Sequence, residues 1–247
     1  MIVATNLLKL GYLCDIMRKN VSVILTGSCS PEYLEKVLLG YNAQNYRNFE
    51  VLLALNDKQV DTLKVSDTLQ KELFFPVSVM EMADGILNQA LFTTATTEYF
   101  LFANIAAIPR YDFVEQHVKY REEGYFLSGS SNVVSEEVFQ HVNRETVYSG
   151  VCFTLKWLKQ HNTKGQVSDV FRFSEGLQGT FLNRLFCANT VFNLENASVW
   201  RKDLEHVLMQ SKVSDDITKL LTELGCKPKQ LKFSTVLLKP NAVPQPR

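Results

Sequence analysis

Between residues 21 and 56 the apolar positions form two short solid runs separated by a stretch where they recur every three or four residues. The runs VSVIL (Val21 to Leu25) and NFEVLLAL (Asn48 to Leu55) are short, apolar and bounded by polar turns, which predicts buried strands. Between them, PEYLEKVLLGYNAQ sets Leu34, Val37, Leu38 and Tyr41 on one side of a helix. Ser30 stands where an N-cap belongs and Pro31 at the first helical position. Strand, helix and strand in this order predict a β-α-β unit with parallel strands and a right-handed crossover.

The alternation continues. A polar helical segment is expected around Thr62 to Leu73, a strand at FPVSVM, a helix at GILNQALFTTAT and a strand at EYFLFA. Pro109 leads a predicted helix, PRYDFVEQHVKYREEG, that Gly124 stops. The stretch YFLSGSSNVVSEEVFQHVNRETVYSG reads as loops mixed with short elements. Helical spacing returns in ASVWRKDLEHVLMQ and DDITKLLTELG, and KQLKFSTVLL has strand composition. The expected class is α/β, with a mostly parallel central sheet flanked by helices. The expected organisation is a helical leader over 1–20, one domain over 21–238 and a proline-containing flexible tail over 239–247.

Composition narrows the function classes. Of 247 residues, 46% are hydrophobic and 21% charged, which fits a globular chain with a sizeable core. Lys plus Arg and Asp plus Glu are both 26, so no overall charge points to nucleic acid. Five scattered cysteines without a CxxC pair fit buried reduced thiols rather than a disulfide framework or a zinc site. No apolar run is long enough to span a bilayer, and the leader lacks a basic segment before its apolar part, so the expected compartment is the cytoplasm. Leu7, Leu8, Leu10, Leu13, Ile16 and Met17 could form one apolar face of the leader, for packing on the domain or for peripheral membrane or partner contact. His117, His141, His161 and His206 show no metal-ligand spacing to one another.

Four segments together resemble the family 2 glycosyltransferases, which have the GT-A fold. They are VSVILTGSCSPEYLEKVLLGYNAQNYRNFEVLLALND, GILNQALFTTATTEYFLFANIAAIPRYDFVEQHV, NASVWRKDLEHV and DDITKLLTELGCKPKQLKF. The resemblance implies a nucleotide-sugar transferase fold, and it assigns places to the functional residues. The nucleotide-gripping Asp of the second strand falls on Leu55, with Asn56, Asp57 and Asp61 as the nearby replacements. The first loop reads Thr26, Gly27, Ser28 and Cys29 where the family has Pro, Thr, Tyr and Asn. Asn88 lies on the helix that approaches the donor, and the metal-binding D-x-D falls on Asn104-Ile105-Ala106. The catalytic base region falls on Val213-Ser214, so that Asp215 could serve after a shift of one residue, beside Asp216. Trp200 and Arg201 stand where they could shape an acceptor site, and Lys239 stands near the place of a family His.

Each of these residues has a plainer use. Asp57 and Asp61 suit turns and helix caps, Asp215 and Asp216 suit a helix N-terminus, and Trp200 suits core packing. The Asn104 loop carries the functional expectation. A divalent cation on a diphosphate needs hard anionic oxygens, and this loop offers one neutral carbonyl oxygen at most. No metal cofactor is therefore expected. Charged positions change together at three points of one site, which implies a degenerate transferase acting as a binding or scaffolding partner. Its expected partners are a nucleotide-sugar and an active glycosyltransferase of polysaccharide assembly. The alternative is an active, metal-independent transferase in which Lys58, Arg110, Arg172 or Arg201 replaces the cation.

Overall fold

The computed structural model describes residues 21–56, 65–82, 90–129, 131–161, 190–210, 216–231 and 237–240. A seven-stranded sheet, in the order β3-β2-β1-β4-β8-β6-β9, forms the centre. Its strands are β1 (Val21–Thr26), β2 (Phe49–Leu55), β3 (Val77–Glu81), β4 (Tyr99–Asn104), β6 (Tyr125–Ser128), β8 (Asn196–Trp200) and β9 (Lys227–Gln230). β8 runs antiparallel to both neighbours, while β3, β2, β1 and β4 are parallel, as are β6 and β9. A second, three-stranded sheet joins β5 (Ile108–Pro109), β10 (Leu237–Pro240) and β7 (Asn132–Val134).

The opening β-α-β unit forms as its pattern predicts. Helix α1 (Pro31–Asn42) starts on Ser30, whose side chain accepts from the Tyr33 amide, and it buries Leu34, Val37, Leu38 and Tyr41. Four further helices are α2 (Asp67–Glu72), α3 (Ala90–Thr94), α4 (Phe113–Tyr120) and α5 (Glu136–Gln140). α6 (Arg144–Tyr148), α7 (Leu155–His161), α8 (Arg201–Gln210) and α9 (Ile217–Glu223) complete the described α-helices. Two apolar cores lie on the sheet: one gathers Val23, Leu38, Val51, Leu101 and Phe113, and the other Ile24, Leu52, Phe100, Phe126 and Val199. Alternate residues of β1 enter opposite cores, which is the period of a strand buried on both faces.

Three elements depart from the sequence reading. Pro109 does not lead a helix: Ile108 and Pro109 pair with β10, and α4 begins only at Phe113. The intervening Arg110 and Asp112 form a buried ion pair that fixes the chain between strand and helix. The helical spacing of ASVW is overridden, because Ala197, Ser198 and Val199 fill fully buried places in β8. KQLKFSTVLL is not one strand: its described parts belong to β9 and β10, in different sheets, and Lys239 and Pro240 belong to β10 rather than to a flexible tail.

Gly40 shows how tightly α1 sits against the small sheet. A Cβ there would lie 2.7 Å from Pro109 Cδ and 2.9 Å from Ile108 Cγ2. In an open helix Gly→Ala gains about 0.5–1 kcal/mol. Here overpacking against a stiff proline ring costs about 1–3 kcal/mol. Gly40→Ala should therefore lower the denaturation midpoint; an unchanged or raised midpoint would show that β5 yields freely.

Candidate functional site

The parallel half of the sheet directs its carboxyl ends to one edge. Register pairs Thr26 with Asn104 and Leu25 with Leu53, so the ends of β1, β2 and β4 and the following Asn56 share that edge. In the order β3-β2-β1-β4 the chain changes direction of growth between β1 and β4, and ligands of open α/β sheets bind outside such a point. Gly27 occupies it with φ +104°, a left-handed conformation that a side chain would strain. A Cβ at Gly27 would stand 3.5 Å from Asn104 Nδ2. The backbone of β1 thus comes close to the Asn104 side chain.

Asn104 is engaged on every polar group. Its Oδ1 accepts from the Ala106 amide at 2.8 Å, and its Nδ2 donates to Glu195 Oε1 at 3.2 Å. Its backbone amide donates to the Glu195 carbonyl and its own carbonyl accepts from Ala107. Ile105 donates to the Thr26 carbonyl, and Thr26 Oγ1 donates to the Leu194 carbonyl. Ile105, Ala106 and Ala107 are fully buried in the first core. The loop is a closed turn anchored to β1 and to the Leu194–Glu195 turn, with Ile105, Ala106 and Ala107 packed inward.

Glu195 brings a cation to the same place. Its Oε1, which accepts from Asn104, also accepts from Lys239 Nζ. Both partners are partly exposed, with side-chain exposures of 41% and 21%. Lys239 arrives from β10, which the antiparallel pairing with β5 holds beside the end of the Asn104 loop. Asn104, Glu195 and Lys239 thus form a continuous polar cluster beside Gly27. The donor set does not suit a divalent cation, since the one carboxylate is matched by a lysine and the one amide oxygen is used by its own turn. Among the described residues, no group of three or more His, Cys, Asp or Glu could hold a metal.

Asp57, Asp61, Asn88 and Asp215, with Lys58 and Arg172, fall outside the described residues. Asn56 is exposed at the end of β2, on the cluster's edge of the sheet. Asp216 caps α9, its Oδ1 accepting from the Thr218 amide at 2.9 Å. Trp200 and Arg201 lie away from Asn104: Trp200 pairs with Tyr99, at the opposite end of β4. Five residue steps along β4 separate the two ends, about 17 Å at roughly 3.4 Å each. There Trp200 Nε1 donates to the Glu122 carbonyl, and Arg201 donates to the Ala95 and Phe92 carbonyls at the end of α3. Arg110, a candidate replacement cation, is 1% exposed and bound by Asp112. Cys29, in the first loop, is buried, and desolvation pushes its thiol up to about 12, so it stays protonated.

Glu195 was not marked by any pattern in the sequence, because the turn that carries it has no periodicity and its partners are distant in the chain. No family model matches this chain, and no curated protein matches it in sequence. Solved structures do. Residues 1–349 of S. aureus TarS in complex with UDP-GlcNAc match with TM-score 0.50 and 13% identity, over 92% of this chain and 59% of that one. The same TarS segment in complex with UDP gives 0.48 and 13% over 90% and 61%, and a further structure of TarS 1–349 gives 0.47 and 15% over 90% and 60%. The chain therefore spans about three-fifths of the length of these 1–349 structures. At this identity the likeness concerns the fold, which is GT-A-like.

Proposed function

We propose that this chain is a glycosyltransferase-like protein of cell-surface polysaccharide or glycan biosynthesis, catalytically degenerate, that binds or scaffolds beside an active transferase. The observation that carries the proposal is the Asn104 loop. Its amide oxygen turns back onto Ala106, and Ala106 is buried among apolar side chains, so the loop directs no anionic oxygen outward. The family 2 assignment rests on the four sequence segments, and the pathway rests on analogy with that family. A nucleotide-sugar is the proposed ligand, with TarS in complex with UDP-GlcNAc as the structural parallel. Cytoplasmic placement and membrane contact through residues 1–20 belong to the proposal. No described helix is long and apolar enough to cross a membrane.

A second reading has one observation in its favour. Lys239 ends against the carboxylate that also holds Asn104, beside the Gly27 turn. A diphosphate entering there could exchange with Glu195 for the ammonium, giving one positive charge in place of a divalent ion. This reading is an active, metal-independent transferase with Asp215 as base.

Calorimetry with UDP, GDP and their sugar conjugates, with and without Mn²⁺, separates the readings. The degenerate reading expects that Mn²⁺ changes no binding isotherm and that no nucleoside diphosphate is released from any donor. Mn²⁺-dependent binding would overturn it. Metal-independent binding with turnover, lost in Lys239→Met, would establish the second reading.

A further inference from the structure

The helices α5 and α7 bring two histidines together on a part of the molecule remote in sequence from the Asn104 loop. His141 is the C-cap of α5 and His161 the last residue of α7. Their ring centroids lie 4.9 Å apart, with the planes tilted by 54°. His141 Nδ1 lies 2.7 Å from the Glu137 carbonyl oxygen and His161 Nδ1 2.9 Å from the Trp157 carbonyl oxygen. A carbonyl oxygen can only accept, so each Nδ1 carries the hydrogen. In the neutral rings both Nε2 atoms then hold a lone pair.

We propose that His141 and His161 form a two-histidine site for a borderline divalent transition-metal cation of the Cu²⁺, Ni²⁺ and Zn²⁺ class. Two observations on different helices support it. The first is the shared tautomer: a metal-binding imidazole characteristically donates its other N–H to a backbone carbonyl or carboxylate, which fixes the ring and raises the basicity of the ligating nitrogen. Both rings already have this arrangement. The second is the spacing. Two imidazoles bound through Nε2 at about 2.0–2.1 Å, with a bond angle of roughly 90–109°, put their centroids about 4.5–5.2 Å apart. The observed 4.9 Å lies in that interval. The ligands are neutral nitrogens, which favour these ions over Mg²⁺ or Ca²⁺. With no third His, Cys, Asp or Glu grouped there among the described residues, water completes the coordination.

The site has its own reporter. Trp157 stacks on His161 with centroids 4.2 Å apart, and the chain has only one other tryptophan, Trp200 in β8. A Cu²⁺ or Ni²⁺ ion on His161 should quench Trp157.

The test is fluorescence titration of the full chain with Cu²⁺ and with Ni²⁺, followed by excess Zn²⁺. The expected result is saturable quenching with 1:1 stoichiometry, reversed by Zn²⁺. It should be lost in His141→Ala, an exposed position where truncation spares the core. His206→Ala, at the exposed His of α8, should leave the quench intact and serves as the control. Absence of saturable quenching in the unmodified chain, or the same midpoint in His141→Ala, would overturn the proposal.

Discussion

Asp112→Ala should be the most damaging single truncation of a polar residue among the described residues, costing about 3–5 kcal/mol. Arg110 is 1% exposed, and its guanidinium is held in a two-pronged pair with Asp112, Nε to Oδ1 at 2.6 Å and Nη2 to Oδ2 at 2.8 Å. Its Nη1 is buried without a hydrogen-bond partner, so Asp112 provides nearly all the compensation for a desolvated cation. Removing the carboxylate leaves that charge unpaired in the core. It also frees Gln116, whose Nε2 donates to Asp112 Oδ2. For a chain of this size the loss corresponds to roughly 10 °C in melting temperature. The double change Arg110→Met with Asp112→Leu should recover much of it, because a buried pair can be replaced by apolar groups at little cost. A loss below about 1 kcal/mol in Asp112→Ala would mean that water reaches the guanidinium.

Arg110 also illustrates what local pattern can and cannot reveal. As a cation in the sequence next to the Asn104 loop, it was a reasonable replacement for a metal. Only the pairing of Ile108–Pro109 with β10 turns it into the core, and that pairing joins residues far apart in the chain. The β1-α1-β2 unit was legible for the opposite reason. Its strands are solid apolar runs, its helix repeats at the right period, and Ser30-Pro31 marks the start; every signal is local. β8 is hidden in the sequence because the strand preference of Val199 and Trp200 covers only two residues before a long helical repeat, and burial between β4 and β6 decides the conformation of Ala197 and Ser198 as well.

The candidate site divides in the same way. The place of Asn104, at the end of an apolar strand before a turn, could be read from the sequence around it. Glu195 could not, and Lys239 was marked only as standing near a family His. They meet Asn104 because the antiparallel β8 begins where β4 ends, and because β10 pairs back onto β5. The two histidines of the proposed metal site have no motif spacing and come together only through helix packing. Chemistry built across elements is therefore the part of this molecule that one-dimensional pattern conceals most.

Lowering the pH from 7 to 4 should remove about 3 kcal/mol of stability through His117 alone. The ring is fully buried against Phe113, with Nε2 3.0 Å from Asn196 Oδ1 and Nδ1 2.7 Å from Ser198 Oγ. Asn196 Oδ1 accepts, so Nε2 carries the hydrogen and Nδ1 accepts from Ser198, whose oxygen lies 2.8 Å from the Tyr99 hydroxyl. Charging His117 would require Nδ1 to donate as well, which reverses this chain of hydroxyls in a desolvated setting. Desolvation accordingly lowers its pKa from 6.5 to about 3. Because the folded value lies below the unfolded one, the unfolded chain binds the extra proton between pH 6.5 and 3. Stability from this residue is complete above that window and falls as the pH drops through it. Denaturant unfolding at pH 7, 6, 5 and 4 measures the slope for the natural chain and for His117→Gln. The variant should begin less stable at pH 7, since it loses the fitted ring, yet lose less on acidification. Carboxylates add their own acid loss to both proteins, so the difference between the two slopes isolates the histidine. Identical slopes would show that water enters beside Asn196 and Ser198 and that the ring takes up its proton without unfolding.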